Sequence, residues 1–126
     1  MICIDTSVWV EFFRGRNVSL VSEVQNLLEE GSVAVPAPVW IELLAVAGKK
    51  ERDRFGKLFS ALPRFYPSRN TWKTMEQWTK QASLKGHRFG MGDLLIGAIT
   101  TENEAKLWSL NSDFSRMAEL KFLRTY

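Results

Sequence analysis

The chain reads as an α/β domain, with a short parallel sheet covered by helices on both faces. Short uninterrupted apolar runs alternate with longer stretches whose apolar residues recur every three or four positions. Runs with no polar residue at alternate positions fit strands buried on both sides, the condition of a parallel sheet. Each of the first four strands is separated from the next by at least one helical stretch, the connection that parallel pairing requires.

Ile2-Cys3-Ile4 is the first strand. Thr6 or Ser7 is placed to cap a helix carrying Val8, Trp9, Phe12 and Phe13, which Gly15 stops. Leu20 to Glu30 repeats Leu20, Val24, Leu27 and Leu28 at helical spacing, and Gly31 terminates it. Val33-Ala34-Val35 is the second strand, and Pro36 and Pro38 lead into a helix holding Glu42 that Gly48 closes. Lys50 to Leu62 is a charged helix with Phe55, Leu58, Phe59 and Leu62 on one side, and Phe65-Tyr66 is a short third strand. Asn70 or Thr71 caps a longer helix to about Lys85, with Trp72, Met75, Trp78 and Ala82 inward. The glycine-rich loop Gly86 to Gly92 precedes the helix that Asp93 opens. Lys106 to Ser109 is a strand, Asn111 to Phe114 a turn, and Phe122-Leu123 a final strand.

At 126 residues, 45% hydrophobic and 25% charged, residues 1–126 make one globular domain with room for a full core. No apolar stretch approaches a membrane span, and Asp5 interrupts any signal-peptide core. The one cysteine, Cys3, has no internal disulfide partner and fits a reducing cytoplasm, while the one histidine, His87, excludes a multi-histidine zinc site. The net charge is +3.

Three carboxylates stand alone among apolar residues. Asp5 ends Met1-Ile2-Cys3-Ile4, Glu42 is the one charge between Ala37 and Ala47, and Asp93 opens Asp93-Leu94-Leu95-Ile96. An unpaired carboxylate in apolar surroundings is costly unless it is neutralised, hydrogen-bonded or bound to a cation. Each also has a plainer reading alone. Asp5 and Asp93 could be helix caps and Asp113 a solvated turn residue, whereas a mid-helix Glu42 caps nothing.

Ligands of parallel sheets bind beyond the carboxyl ends of the strands. Asp5 and Asp113 fall just past strands, and Glu42 and Asp93 sit near the starts of helices, so the topology lets all four converge. Carboxylates without His or Cys make a hard-oxygen site suited to Mg²⁺ or Mn²⁺. Such ions support hydrolysis of a phosphodiester. With the four acids neutralised by metal, the remaining surface would carry 17 positive against 10 negative charges, which suits a polyanionic substrate.

Four segments resemble the PIN-domain ribonucleases, and among them the VapC-type toxins of toxin–antitoxin modules. They are Ile4-Asp5-Thr6-Ser7-Val8-Trp9-Val10-Glu11, Val39-Trp40-Ile41-Glu42-Leu43, Gly92-Asp93-Leu94-Leu95-Ile96-Gly97-Ala98 and Leu110-Asn111-Ser112-Asp113-Phe114. The resemblance implies an α/β/α sandwich and a Mg²⁺- or Mn²⁺-dependent endoribonuclease, the toxin of a type II pair. It further implies a cytoplasmic homodimer that cuts tRNA or ribosomal RNA. A cognate antitoxin, whose tail enters the active-site groove, would silence it. The family's acids fall on Asp5, Glu42 and Asp93, with Asp5 and Asp93 as the direct metal ligands and Glu42 binding through water or orienting the nucleophile. The family's last motif often has an acid where Asn111 stands and another at Asp113. Asp113 is therefore taken as the fourth acid, with Asn111, Glu11 and Thr6 in support.

A rival reading is a catalytically weak module that binds RNA or a protein and uses metal only structurally. Phosphatases of the dehalogenase type want a second aspartate two residues after the first, where Ser7 stands. Phospho-receiver domains need an acceptor aspartate after a middle strand, and Val33 to Pro38 supplies none.

Overall fold

The computed structural model describes residues 1–126. In chain order the elements are β1 (Ile2–Ile4), α1 (Thr6–Arg14), α2 (Val18–Glu29), β2 (Val33–Pro36), α3 (Ala37–Val46) and α4 (Lys49–Ser60). There follow β3 (Arg64–Phe65), α5 (Arg69–Leu84), α6 (Met91–Glu102), β4 (Lys106–Trp108) and α7 (Ser112–Glu119). The four strands form one parallel sheet in the order β3-β2-β1-β4. Helices cover both faces, giving the α/β/α sandwich that the alternating pattern predicts.

The chain steps outward from β1 to β2 and β3, then returns to place β4 on the other side of β1. The order reverses between β1 and β4, the point beyond the strand ends at which open parallel sheets bind their ligands. Every residue of β2 is buried, as is most of β1, so the strands read as continuous apolar runs.

One core of 27 buried residues unites the layers. Trp9 is fully buried, with Phe59 edge-on at 4.7 Å and Phe13 stacked at 6.0 Å. Burying each such ring stabilises the fold by about 1.5–3 kcal/mol. On the far side Trp78 stacks on Phe122 at 4.8 Å. Cys3 is buried and free, and no helix is long and apolar enough to cross a membrane.

Several boundaries differ from the predicted ones. Phe122 and Leu123 do not form a strand. The Phe122 N–H donates to Met117 C=O at 3.0 Å in the turn that closes α7, and the sheet contact moves to Thr125, a parallel bridge to Leu107. Asn111 to Phe114 is not merely a turn: the Asn111 side chain accepts from Asp113 N–H and caps α7. Asp5 itself caps α1, in place of Thr6 or Ser7. Ser68 begins α5 rather than Asn70 or Thr71, its N–H donating to Thr71 Oγ1 at 2.8 Å. The third strand ends at Phe65, and Tyr66 is exposed. Trp72 does not turn inward. It is 48% exposed and, with Phe89 and Met91, lines an open groove of about 670 Å³ between α5 and the start of α6.

Candidate active site

Asp5 follows directly on the last residue of β1, and its Oδ2 is crowded with donors. The Ser109 hydroxyl donates at 2.7 Å, the Ser7 hydroxyl at 2.8 Å and the Ser7 N–H at 3.5 Å. Ser109 comes just after β4, so a hydroxyl from one strand end holds an acid from the neighbouring one. Asp5 is only 5% exposed. Its Oδ1 accepts no hydrogen bond but is not sealed from solvent, which leaves that oxygen available to a ligand.

Glu42 lies in the second turn of α3, where its Oε1 accepts from Thr6 Oγ1 at 2.9 Å. The apolar neighbours that set it apart in the sequence do not bury it. Ile41 and Val46 are 62% and 69% exposed, and Glu42 is itself exposed. Partial shielding from water pushes its pKa up, the Thr6 hydroxyl opposes that shift, and the charge of Asp5 adds to it.

Asp93 is in the first turn of α6, whose N-cap is Gly90, so it is not the cap. Its pKa is pushed up to about 6, first by burial and then by the charges of Asp5, Asp113 and Glu42, while the Asn111 hydrogen bond works against the rise. Four acids, one just past β1 and the others on α3, α6 and α7, therefore act on one another at the carboxyl end of the sheet. Three of them sit at helix N-termini, as the cap of α1 or within the first turns of α6 and α7. Exposed N–H groups and the positive end of the helix dipole there offset part of the repulsion.

The supporting residues divide. Thr6 and Asn111 touch the ring of acids, Thr6 through Glu42 and Asn111 through Asp93 at 3.3 Å. Glu11 is instead paired with Arg14 at 2.9 Å. Asp113 is held by the Arg116 guanidinium one turn later. His87 stacks on Phe89 at 5.9 Å and makes no hydrogen bond to the ring. Ser7 reads in the sequence only as a cap and Ser109 only as the end of a strand. The signal that marks both is a hydroxyl within a few residues of an acid at the ends of two adjacent parallel strands.

The donor set is all oxygen: carboxylates, with the serine, threonine and asparagine groups that orient them. That chemistry fits a hard divalent cation, which would relieve the repulsion that raises Asp93. No three His, Cys, Asp or Glu side chains lie close enough to hold an ion as they stand, so the ring is wider than one coordination sphere.

Solved structures similar to this chain are VapBC2 from Rickettsia felis, bound to a DNA fragment from its promoter, and FitAcB from Neisseria gonorrhoeae. The first is 22% identical with a TM-score of 0.80, covering 100% of this chain and 98% of that one. The second is 19% identical with a TM-score of 0.77, covering 100% and 96%. VapC20 from Mycobacterium tuberculosis, described as a sarcin-ricin loop cleaving toxin, is 14% identical with a TM-score of 0.67, covering 92% and 94%. No curated protein matches the chain. The family model for the PIN domain matches residues 2–120. With its strand order, its ring of acids and a match over nearly its whole length, the chain belongs to the PIN-domain family.

Proposed function

We propose that this protein is a divalent-cation-dependent endoribonuclease and the toxin of a type II toxin–antitoxin pair. The observation that carries the reading is a group of carboxylates held by oxygen and amide donors beside the strand-order reversal, Asp5 by Ser7 and Ser109, Glu42 by Thr6 and Asp93 by Asn111. Its RNA substrate and antitoxin partner draw support from the neighbouring structures: VapC20 is described as a sarcin-ricin loop cleaving toxin, and a similar structure from Klebsiella pneumoniae as a toxin–antitoxin complex.

Asp5 Oδ1 and Asp93 would hold Mg²⁺ or Mn²⁺, with Glu42 reaching it through water. Once bound, such an ion supplies Lewis-acid activation of an attacking water and charge neutralisation on the phosphodiester. The protein's own groups do the positioning. Ser7 and Ser109 pin Asp5 Oδ2 and leave Oδ1 free. Thr6 holds Glu42, whose carboxylate orients the nucleophile and accepts its proton. Hydrolysis adds water across one phosphorus–oxygen bond, releasing a terminal phosphate and a hydroxyl.

A second reading, a catalytically weak module that binds RNA or protein, is favoured by the uncharged Asn111 and the width of the ring. Incubating cellular RNA with purified, antitoxin-free protein in Mg²⁺, Mn²⁺ or EDTA, beside Asp5→Asn, separates the two. Discrete metal-dependent cuts that vanish in the variant establish the nuclease. Absence of cuts from folded protein favours the binding module.

A further inference from the structure

The turn between β4 and α7 ties two acids of the ring together. Ser109 donates through its hydroxyl to Asp5 Oδ2 at 2.7 Å. Asn111 N–H donates back to that same hydroxyl oxygen at 3.0 Å, and Asn111 Nδ2 donates to Asp93 Oδ2 at 3.3 Å. The other end of the Asn111 amide is also committed: Oδ1 accepts from Asp113 N–H at 3.0 Å and caps α7. Flipping the amide would turn Oδ1 toward the Asp93 carboxylate and face Nδ2 against an N–H. One orientation therefore satisfies both neighbours, and it presents a donor, not an acceptor, to the ring.

We propose that Asn111 is a positioning residue that spans Asp93 and the α7 cap as a neutral donor, and that it ligates no cation itself. This rests on the cation-dependent reading above and makes it more specific. With Asn111 committed to two hydrogen bonds and Asp113 held by Arg116, direct ligation of a cation is left to Asp5 and Asp93, with Glu42 reaching it through water. An acid at position 111 would still cap α7, since Asp and Asn are equivalent caps, but would replace the donor facing Asp93 with a negative charge.

The test is Mn²⁺ binding in the absence of RNA, followed by the electron paramagnetic resonance of the free ion. Wild type, Asn111→Asp and Asn111→Ser are compared. Serine keeps a capping oxygen but is too short to reach Asp93. The expected result is one Mn²⁺ per wild-type chain. Asn111→Asp should bind the first ion about fivefold or more tightly or take up a second, the gain expected of a new carboxylate. Asn111→Ser should keep a single ion at an affinity within about fivefold of wild type, the loss of one hydrogen bond. Circular dichroism confirms that each variant is folded, and Asn111→Ser reports on the same question if Asn111→Asp is not.

Unchanged or weaker binding in folded Asn111→Asp overturns the proposal, because a residue that faces Asp93 cannot become a carboxylate without changing the cation site. A loss of tenfold or more in Asn111→Ser overturns it too, because that would make the Asn111 oxygen a ligand. RNA cleavage read in parallel keeps the two ideas apart. A wild type that cuts RNA while Asn111→Asp binds Mn²⁺ unchanged refutes the positioning role alone. A wild type that binds one Mn²⁺, responds to Asn111→Asp as expected and cuts nothing refutes the nuclease alone. A wild type that binds no Mn²⁺ refutes both.

Discussion

Thr6 Oγ1 donates to Glu42 Oε1 at 2.9 Å, joining the first residue of α1 to the acid of α3 across 36 positions of sequence. The bond opposes the upward shift of the Glu42 pKa, so its loss favours the protonated carboxyl. Thr6→Val keeps the shape of the side chain and removes the donor. RNA cleavage by this variant should fall about three- to tenfold, the net value of one ordinary hydrogen bond at this solvent-exposed position, with the acid limb of its pH–rate profile moved upward. An unchanged profile would show that Thr6 does not act on Glu42.

Asp93 titrates at about 6, above the ordinary aspartate value, so in metal-free protein the folded state holds this proton more tightly than the unfolded state does. Its contribution is favourable below the unfolded pKa and is lost as pH rises from about 4 to about 6. Asp93→Asn should therefore raise the melting temperature in EDTA at pH 7.5 and leave it nearly unchanged at pH 3.5. Because Asp93 is partly exposed, solvent screening limits the effect to a few degrees. Mn²⁺ at pH 7.5 should raise the melting temperature of wild type well beyond that of the variant. Thermal scans at the two pH values, with and without ion, check all of this.

The two serines on Asp5 act on one oxygen, so their effects are coupled. Ser7→Ala and Ser109→Ala should each cost about 1 kcal/mol, since the remaining hydroxyl still holds Oδ2. The double variant leaves only the 3.5 Å N–H contact and should cost more than the sum of the singles. Urea denaturation of the four proteins in EDTA measures the coupling.

Gly97, inside α6, has no room for a branched side chain. A Cβ there would lie 3.0 Å from Leu123 Cδ2 and 3.3 Å from Trp78 Cζ3, with Trp78 already fixed by its stacking on Phe122. Gly97→Val should destabilise the fold by about 1–3 kcal/mol, read as a lower urea midpoint with an unchanged slope. The glycine that helix propensity disfavours is required by packing.

Those cases show what the sequence can and cannot disclose. The layered architecture was legible because buried parallel strands lack alternation, and Ile2 to Ile4 and Val33 to Pro36 are apolar throughout. The convergence of Asp5, Glu42, Asp93 and Asp113 followed from topology, since strand ends of a parallel sheet share one edge. The burial of Glu42 was misjudged because an apolar stretch can leave one helix face to solvent, as Ile41 and Val46 do. The short helix α7 was hidden by its polar opening, Asn111-Ser112-Asp113, whose residues suit a turn and a helix start equally. The strap from Ser109 through Asn111 depends on side-chain contacts between segments far apart in the chain, and no local pattern encodes them.

The bridge between Leu107 and Thr125 settles how a partner protein can approach. Leu107 N–H donates to Arg124 C=O and Leu107 C=O accepts from Tyr126 N–H, both at 2.9 Å, so the tail closes the outer side of β4. At the opposite margin β3 is only two residues long. Neither border offers the row of free backbone groups on which a foreign strand could zip itself. Recognition must therefore run through helix faces and side-chain grooves, and such a surface can be remodelled residue by residue without disturbing the sheet.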